Sequence, residues 1–202
     1  MSRARSPGDS RLYLITGVRP NLEELIEAAV RGGVDIVQIR EKELLDGALL
    51  PVLERMREVT RRLGVPFVVN DRADLALLVE ADLVHVGQED LPVEATRRLG
   101  LAVGLSTHSE QEIDRADADY IGVGPVYATP TKEGRLGVGL ELVRYAARHA
   151  RVPWFTLGGI DAGNIADVVA AGAERVAVIR AIADAPDPER AAAELRTALD
   201  RR

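Results

Sequence analysis

Residues 120–139 read YIGVGPVYATPTKEGRLGVG. The run Tyr120–Val123 is apolar and stops at Gly124 and Pro125, the pattern of a short buried strand closed by chain-breaking residues. A loop follows, carrying Thr129, Thr131, Lys132 and the glycines Gly134, Gly137 and Gly139. Hydroxyls, an ammonium and flexible backbone in one loop suit a phosphate-bearing ligand. A plain solvated loop has the same composition, so this stretch alone leaves both readings open.

The same kind of run recurs on both sides of it. Leu12–Thr16, Ile36–Ile39, residues 67–69, Leu83–Val86, residues 102–105, Tyr120–Val123, Trp154–Leu157 and residues 176–179 are all short and apolar. Between them lie helical patterns. Asn21 with Glu24 makes a capping box ahead of Leu22, Leu25, Ile26 and Ala29, which share one face. Leu49, Leu53, Met56, Val59 and Leu63 form an amphipathic stripe that Gly64 should stop. Shorter helical patterns carry Leu75, Leu78 and Val79, and then residues 93–99. Ser109 and Glu112 form a second capping box, residues 140–149 a further helix, and Asp161 the cap of the next. Asp187 caps the last helix, with Pro188 at its first position.

Strict alternation of strand and helix implies a parallel sheet. Eight such units without a spare segment predict an α/β fold, a single (β/α)8 TIM barrel with eight parallel strands over residues 11–202. A doubly wound open sheet is the competing topology. Acids stand just before the even-numbered runs, at Asp35, Asp82, Asp119 and Glu174. Those positions fall at the N-terminal, bottom face of a barrel and read as stability rather than chemistry.

Composition narrows the function. The 202 residues are 47% apolar and 29% charged, which is ordinary for one globular domain. No apolar run approaches the roughly 18 residues of a membrane span. Residues 1–10 are polar and lack a signal-peptide core, so they are expected to be a disordered tail and the chain cytoplasmic. The absence of cysteine removes disulfides, thiolate metal sites and a cysteine nucleophile. A net charge of −6 argues against nucleic-acid binding but not against a local basic pocket. Lys42 and Lys132 are the only lysines among 26 basic residues. Both fall in candidate site loops, where a compact ammonium serves and a planar guanidinium does not.

In a barrel the chemistry sits at the C-terminal ends of the strands. The second run ends in Gln38-Ile39-Arg40-Glu41-Lys42, and a period of two puts Gln38, Arg40 and Lys42 on one side. The third ends in Asn70-Asp71 and the fourth in Gly87-Gln88-Glu89-Asp90. Either aspartate could simply cap a helix. Together, on adjacent strands and flanked by cations, Asp71 and Asp90 favour Mg2+ shared with a polyphosphate. Zinc is disfavoured, because His85, His108 and His149 show no ligand spacing. His85 reads as a core residue and His149 as a solvated helix end, whereas His108 is a candidate for shaping the site or acting as an acid. The seventh run ends in Gly158-Gly159-Ile160 and the eighth in Ile179-Arg180. Phosphate sites in this fold are commonly built from those two loops, although a glycine pair can also be only a tight turn. Two separate anion sites imply two phosphorylated substrates being joined.

These residues resemble the thiamine phosphate synthase family over residues 12–199. The resemblance rests on Gln38-x-Arg40-x-Lys42, Val69-Asn70-Asp71, His85-x-Gly87-Gln88-Glu89-Asp90, Gly104-x-Ser106-x-His108, Gly122-x-Gly124-Pro125-x-Tyr127 with Thr129-x-Thr131-Lys132, and Gly158-Gly159-Ile160. It implies joining of a pyrimidine diphosphate (HMP-PP) to a thiazole phosphate (THZ-P) with release of pyrophosphate. It also implies that Asp71 and Asp90 hold magnesium, and that Arg40, Lys42, Asn70 and Lys132 grip the diphosphate. Gln38 and Ser106 would contact the pyrimidine. Thr129, Thr131, Gly159 and the amides near Ile179 would hold the thiazole phosphate; Arg180 beside them either strengthens that binding or points away. The chain departs from the family pattern at Ala128, where proline is usual, at Arg180, where serine is common, and at Gly17, where an acid usually follows the first strand. A thiazole tautomerase-like isomerase and a non-catalytic phosphate-ligand sensor are the alternatives. The expected partners are small molecules, without nucleic acid or membrane; a homo-oligomer is compatible with the sequence, which does not set the oligomeric state.

Overall fold

The computed structural model describes residues 7–128 and 137–201. Eight strands close into a barrel in chain order, each parallel to its neighbours: β1 Leu12–Thr16, β2 Ile36–Ile39, β3 Phe67–Asn70, β4 Leu83–Val86, β5 Ala102–Thr107, β6 Tyr120–Val123, β7 Trp154–Leu157 and β8 Val176–Val178. The ring closes where β8 pairs with β1, Val176 beside Leu12 and Val178 beside Leu14, which excludes the open-sheet topology. Helices α1 Leu22–Arg31, α2 Asp46–Leu63, α3 Ala73–Leu78, α4 Val93–Arg97, α5 Glu110–Arg115, α6 Gly139–His149, α7 Ile165–Ala170, α8 Arg180–Ala183 and α9 Pro188–Asp200 surround it. Helix α8 is additional to the eight expected units.

The period of two divides each strand between two cores. Tyr13, Ile36, Val68, Leu83, Tyr120 and Phe155 fill the inside of the barrel. Their neighbours in sequence, among them Leu12, Leu14, Val37, Phe67 and Val84, point outward and pack under the helices. Moving up a strand by two residues takes the inner face from apolar to polar: Ile36 to Gln38, Val68 to Asn70, Leu83 to His85. That step puts a polar layer above an apolar plug.

The acids before the even strands tie the bottom together. Asp35 accepts the amides of Arg11 and Leu12 at 2.9–3.0 Å. Asp82 accepts that of Phe67 at 2.8 Å and Asp119 that of Val103 at 2.8 Å. Each therefore satisfies donors at the start of the preceding odd strand, which has no earlier strand residue to pair them. Asp82 also takes a two-pronged contact from Arg57 at 2.6 and 3.2 Å. Asp82→Ala leaves that amide and guanidinium partly buried and unpaired. The expected cost is about 1–3 kcal/mol, a melting-temperature loss of roughly 3–10 °C, with KM values unchanged. A Tm within about 1 °C of the parent would refute this bottom-face role.

Two capping assignments come out differently. Asn21 precedes α1 but makes no side-chain cap, so the box with Glu24 is not formed. Asn164, not Asp161, is the residue before α7, and the Asp161 carboxylate instead accepts from Gly163 N at 2.8 Å. Ser109 does cap α5 through Glu112 N, and Asp187 caps α9 through Arg190 N. Of the polar stretch 1–10, residues 1–6 lie outside the described residues; Pro7–Asp9 form a 3-10 turn, and buried Ser10 donates to Asp35 O at 3.1 Å. The physical reason is the same acid loop, which offers that end of the chain a fixed acceptor.

Candidate active site

A cavity of about 400 Å3 opens at the C-terminal end of the barrel. It is lined by Gln38, Arg40, Lys42, Asn70, Asp71, Asp90, Ser106, Gly159, Ile179 and Arg180, so sequence-distant candidates share one space. Its apolar floor includes Ile15, Leu157 and Ala177. Thr129, Thr131 and Lys132 lie outside the described residues.

One wall comes from β2, β3 and β4. Lys42 Nζ lies 3.1 Å from Asp71 Oδ2. Asp71 itself has φ +59, a left-handed conformation that costs most residues energy but which Asp and Asn tolerate. Its amide donates to His85 O at 2.8 Å, which places the residue between β3 and β4. Asp71 does not cap α3, since Arg72 is the residue preceding that helix; Pro92, not Asp90, precedes α4. The helix-cap reading of both aspartates is thereby excluded. Asp90 instead accepts from Gly87 N at 2.7 Å, folding its own loop back to the mouth. Burial pushes the Asp71 carboxyl above the usual range; Lys42 opposes the shift and the nearby Asp90 carboxylate adds to it. Two carboxylates in mutual repulsion, with oxygen-only donors, fit a hard divalent cation.

Asn70 sharpens the picture. Its side-chain Nδ2 is buried without a hydrogen-bond partner. A buried amide donor left unpaired is costly, and an acceptor from a ligand in the cavity would satisfy it. Among the described residues neither Arg40 nor Arg180 is in an ion pair, and both line the cavity. Arg180 starts α8 and lines the cavity rather than turning away.

The opposite wall is built by the ends of β7 and β8. Gly158 and Gly159 have φ +103 and +65. Val126 N and Tyr127 N donate to Leu157 O and Gly158 O at 2.9 and 3.1 Å, zipping this loop to the one after β6. The glycine pair is thus a packed junction as well as an open backbone beside the cavity.

Several residues carry weight that local pattern did not show. His85 is hydrogen-bonded as a core residue would be, yet it also lines the cavity. Glu41 accepts the amides of Val18, Lys42 and Glu43 at 2.8–3.3 Å. Burial pushes its carboxyl up, but the backbone amides outweigh that and hold it below the ordinary value. It braces the loop that carries Arg40 and Lys42. An acid flanked by two cations was the only signal, and the sequence alone does not distinguish a brace from a solvated side chain. His108 lies outside the cavity lining; its Nδ1 contacts Gly124 O and its amide donates to Glu112 at 2.5 Å, so it shapes the turn after β6. His149 stacks on Tyr145 at the outer surface, with centroids 4.2 Å apart.

Residues 12–182 match the family model described as thiamine monophosphate synthase. The chain is 51% identical over 198 residues to a thiamine-phosphate synthase of Gloeobacter violaceus, covering 95% of this chain and 58% of that protein. It is 50% identical over 199 residues to one from Thermus thermophilus, covering 94% of this chain and 97% of that protein. The chain therefore spans little more than half the length of the Gloeobacter relative and nearly all of the Thermus one. Among solved structures, thiamine phosphate pyrophosphorylase from Pyrococcus furiosus superposes with a TM-score of 0.87 at 32% identity, covering 96% of this chain and 97% of that one. A 3-hexulose-6-phosphate synthase, at 23% identity and a TM-score of 0.68, shares the fold.

Proposed function

The chain belongs to the thiamine monophosphate synthase family, and we propose that it is a transferase joining 4-amino-2-methyl-5-hydroxymethylpyrimidine diphosphate to 4-methyl-5-hydroxyethylthiazole phosphate, giving thiamine phosphate and pyrophosphate. The observation that carries the reading is one cavity that brings together Arg40, Lys42 and the unpaired Asn70 Nδ2 on one side and Gly159, Ile179 and Arg180 on the other, groups able to hold two anions. An isomerase acting on a single phosphate has no use for the first wall.

The reaction is dissociative. The bond between the pyrimidine's methylene carbon and the diphosphate oxygen breaks, and its electron pair leaves with the diphosphate. The thiazole nitrogen then bonds to the methylene through its lone pair. That nitrogen carries no proton, so the step requires no general base. Arg40, Lys42 and Asn70 bind the diphosphate and absorb the charge that grows on it. Lys132, assigned by its loop motif and not by position, has the same role. Gln38 and Ser106 orient the pyrimidine. Thr129, Thr131, Gly159, the backbone around Ile179 and Arg180 hold the thiazole phosphate. Asp71 and Asp90 would hold Mg2+, which supplies electrophilic neutralisation of a diphosphate.

Mixing both substrates with magnesium and measuring pyrophosphate tests the reading. A tautomerase-like isomerase or a ligand sensor releases none. The cation assignment has its own test in Asp71→Asn and Asp90→Asn, asparagine being tolerated at φ +59 where alanine is strained. Each is expected to raise the magnesium concentration for half-maximal rate by about one to two orders of magnitude, the scale on which ligand charge tunes divalent-ion affinity. Their circular dichroism stays that of the parent. An unchanged magnesium dependence in both variants removes the assignment.

A further inference from the structure

A line of hydrogen bonds crosses the inside of the barrel from β2 to β5. Gln38 Nε2 donates to Tyr13 Oη at 2.6 Å. Tyr13 Oη lies 2.9 Å from Tyr120 Oη, and Tyr120 Oη 2.9 Å from His85 Nδ1. His85 Nε2 lies 2.9 Å from Ser106 Oγ. Gln38 is 1% exposed, Tyr13 1%, Tyr120 0%, His85 8% and Ser106 7%, so water does not compete along the line. Room for it is made by small residues. A methyl on Gly104 would fall 2.1 Å from Tyr120 Cζ, and one on Gly122 2.8 Å from Leu157 Cδ2, which packs beside His85.

The order of donors follows from the first bond. Tyr13 accepts from Gln38, so its own proton needs a buried acceptor, and Tyr120 Oη supplies it. The Tyr120 proton then goes to His85 Nδ1. An accepting Nδ1 leaves the imidazole proton on Nε2, which donates to Ser106 Oγ. The serine hydrogen is left to point into the cavity, and the Gln38 carbonyl oxygen is left to accept there. Were the middle bonds reversed with Gln38 unchanged, Tyr13 would receive two donors and its own buried proton would have no acceptor in the line. Burial raises both phenols well above their ordinary values, so they act as neutral hydroxyls.

We propose that Tyr13, Tyr120 and His85 are positioning residues forming a one-directional relay that couples the amide of Gln38 to the hydroxyl of Ser106. The two ends then present an acceptor and a donor together. That pairing favours a nitrogen heteroaromatic ring bearing an amino group beside a ring nitrogen over the reversed pattern of a ring carbonyl beside a ring N–H, which would set its carbonyl against the Gln38 oxygen. The inference rests on the pyrimidine-binding reading of this cavity, but the order of the protons is testable without it.

Nitrogen-15 NMR of the full-length protein without substrate reads the tautomer directly, with His85→Asn identifying the signal among the three histidines. The expected form is Nε2–H. Tyr120→Phe removes the donor to Nδ1 and is expected to give a mixture of tautomers. Tyr13→Phe cuts the relay in the middle. It is expected to raise KM for the pyrimidine diphosphate by about tenfold, the worth of one oriented hydrogen bond, and to leave KM for the thiazole phosphate within about twofold. An Nδ1–H imidazole in the parent protein overturns the proposal, as does a Tyr120→Phe tautomer identical to the parent's. Should Tyr120→Phe not fold, the parent's tautomer still decides. Should no pyrophosphate be released by the parent protein, the activity reading falls while the NMR result continues to decide the relay.

Discussion

Replacing Lys132 by alanine is expected to lower kcat by about 10²–10³-fold and to leave KM for the thiazole phosphate within about twofold, the pattern of a donor that acts on charge developing in the transition state. The reasoning begins with composition. In a chain whose cations are nearly all arginine, Lys42 and Lys132 are retained in the two loops that the diphosphate reading needs. A compact ammonium can follow an oxygen as its charge grows, whereas a guanidinium fork fits one planar geometry. Lys42 is engaged with Asp71 at 3.1 Å, which shares its charge with the carboxylate pair. Lys132 lies outside the described residues, so its assignment rests on the loop motif and on family membership. Steady-state kinetics with each substrate varied in turn check it. An equal loss in kcat and in thiazole-phosphate affinity would assign Lys132 to ground-state binding instead.

Gly158→Ala is expected to damage both stability and thiazole-phosphate binding. At φ +103 an alanine is strained by about 1–3 kcal/mol. Its methyl would also fall 2.4 Å from Pro125 Cα and 2.8 Å from Val126 N, which are backbone atoms and cannot swing aside. Overpacking of this kind adds about 1–3 kcal/mol. For a chain of this size the two together correspond to a melting-temperature loss of roughly 6–20 °C. Relief of the clash requires the loops after β6 and β7 to part, which moves Gly159 and the backbone facing the cavity. KM for the thiazole phosphate is therefore expected to rise, with the magnesium dependence unchanged. Thermal melts and kinetics check the two halves separately, and a variant with the parent's Tm would show that the junction is not tight.

Both expectations draw on the boundary between local pattern and closed structure. Strand positions were legible because burial on both faces forces short apolar runs, and every one of the eight sits where its run lies, with ends moved by a residue or two at β3, β5 and β8. The alternation at the end of β2 placed Gln38, Arg40 and Lys42 on one side, and all three line the cavity. Helix caps were less legible. Asn21 and Asp161 have side chains able to cap, but a cap depends on backbone angles set by how the loop enters the helix, and at those two places the angles go elsewhere. Helix α8 was missed because four residues are too few to show a period.

The eight-unit barrel and the end of it that holds the polar groups were set by the order of residue types along the chain, since a period of two and the direction of each strand are local properties. Three-dimensional closure alone decided that Asp71 and Asp90 meet in one cavity instead of capping helices, that Gly158 packs against Pro125, and that Gln38 reaches Ser106 through Tyr13, Tyr120 and His85. Those contacts join residues up to 107 positions apart. Their existence depends on how far each strand is staggered around the ring, a distance that no window of neighbouring residues encodes.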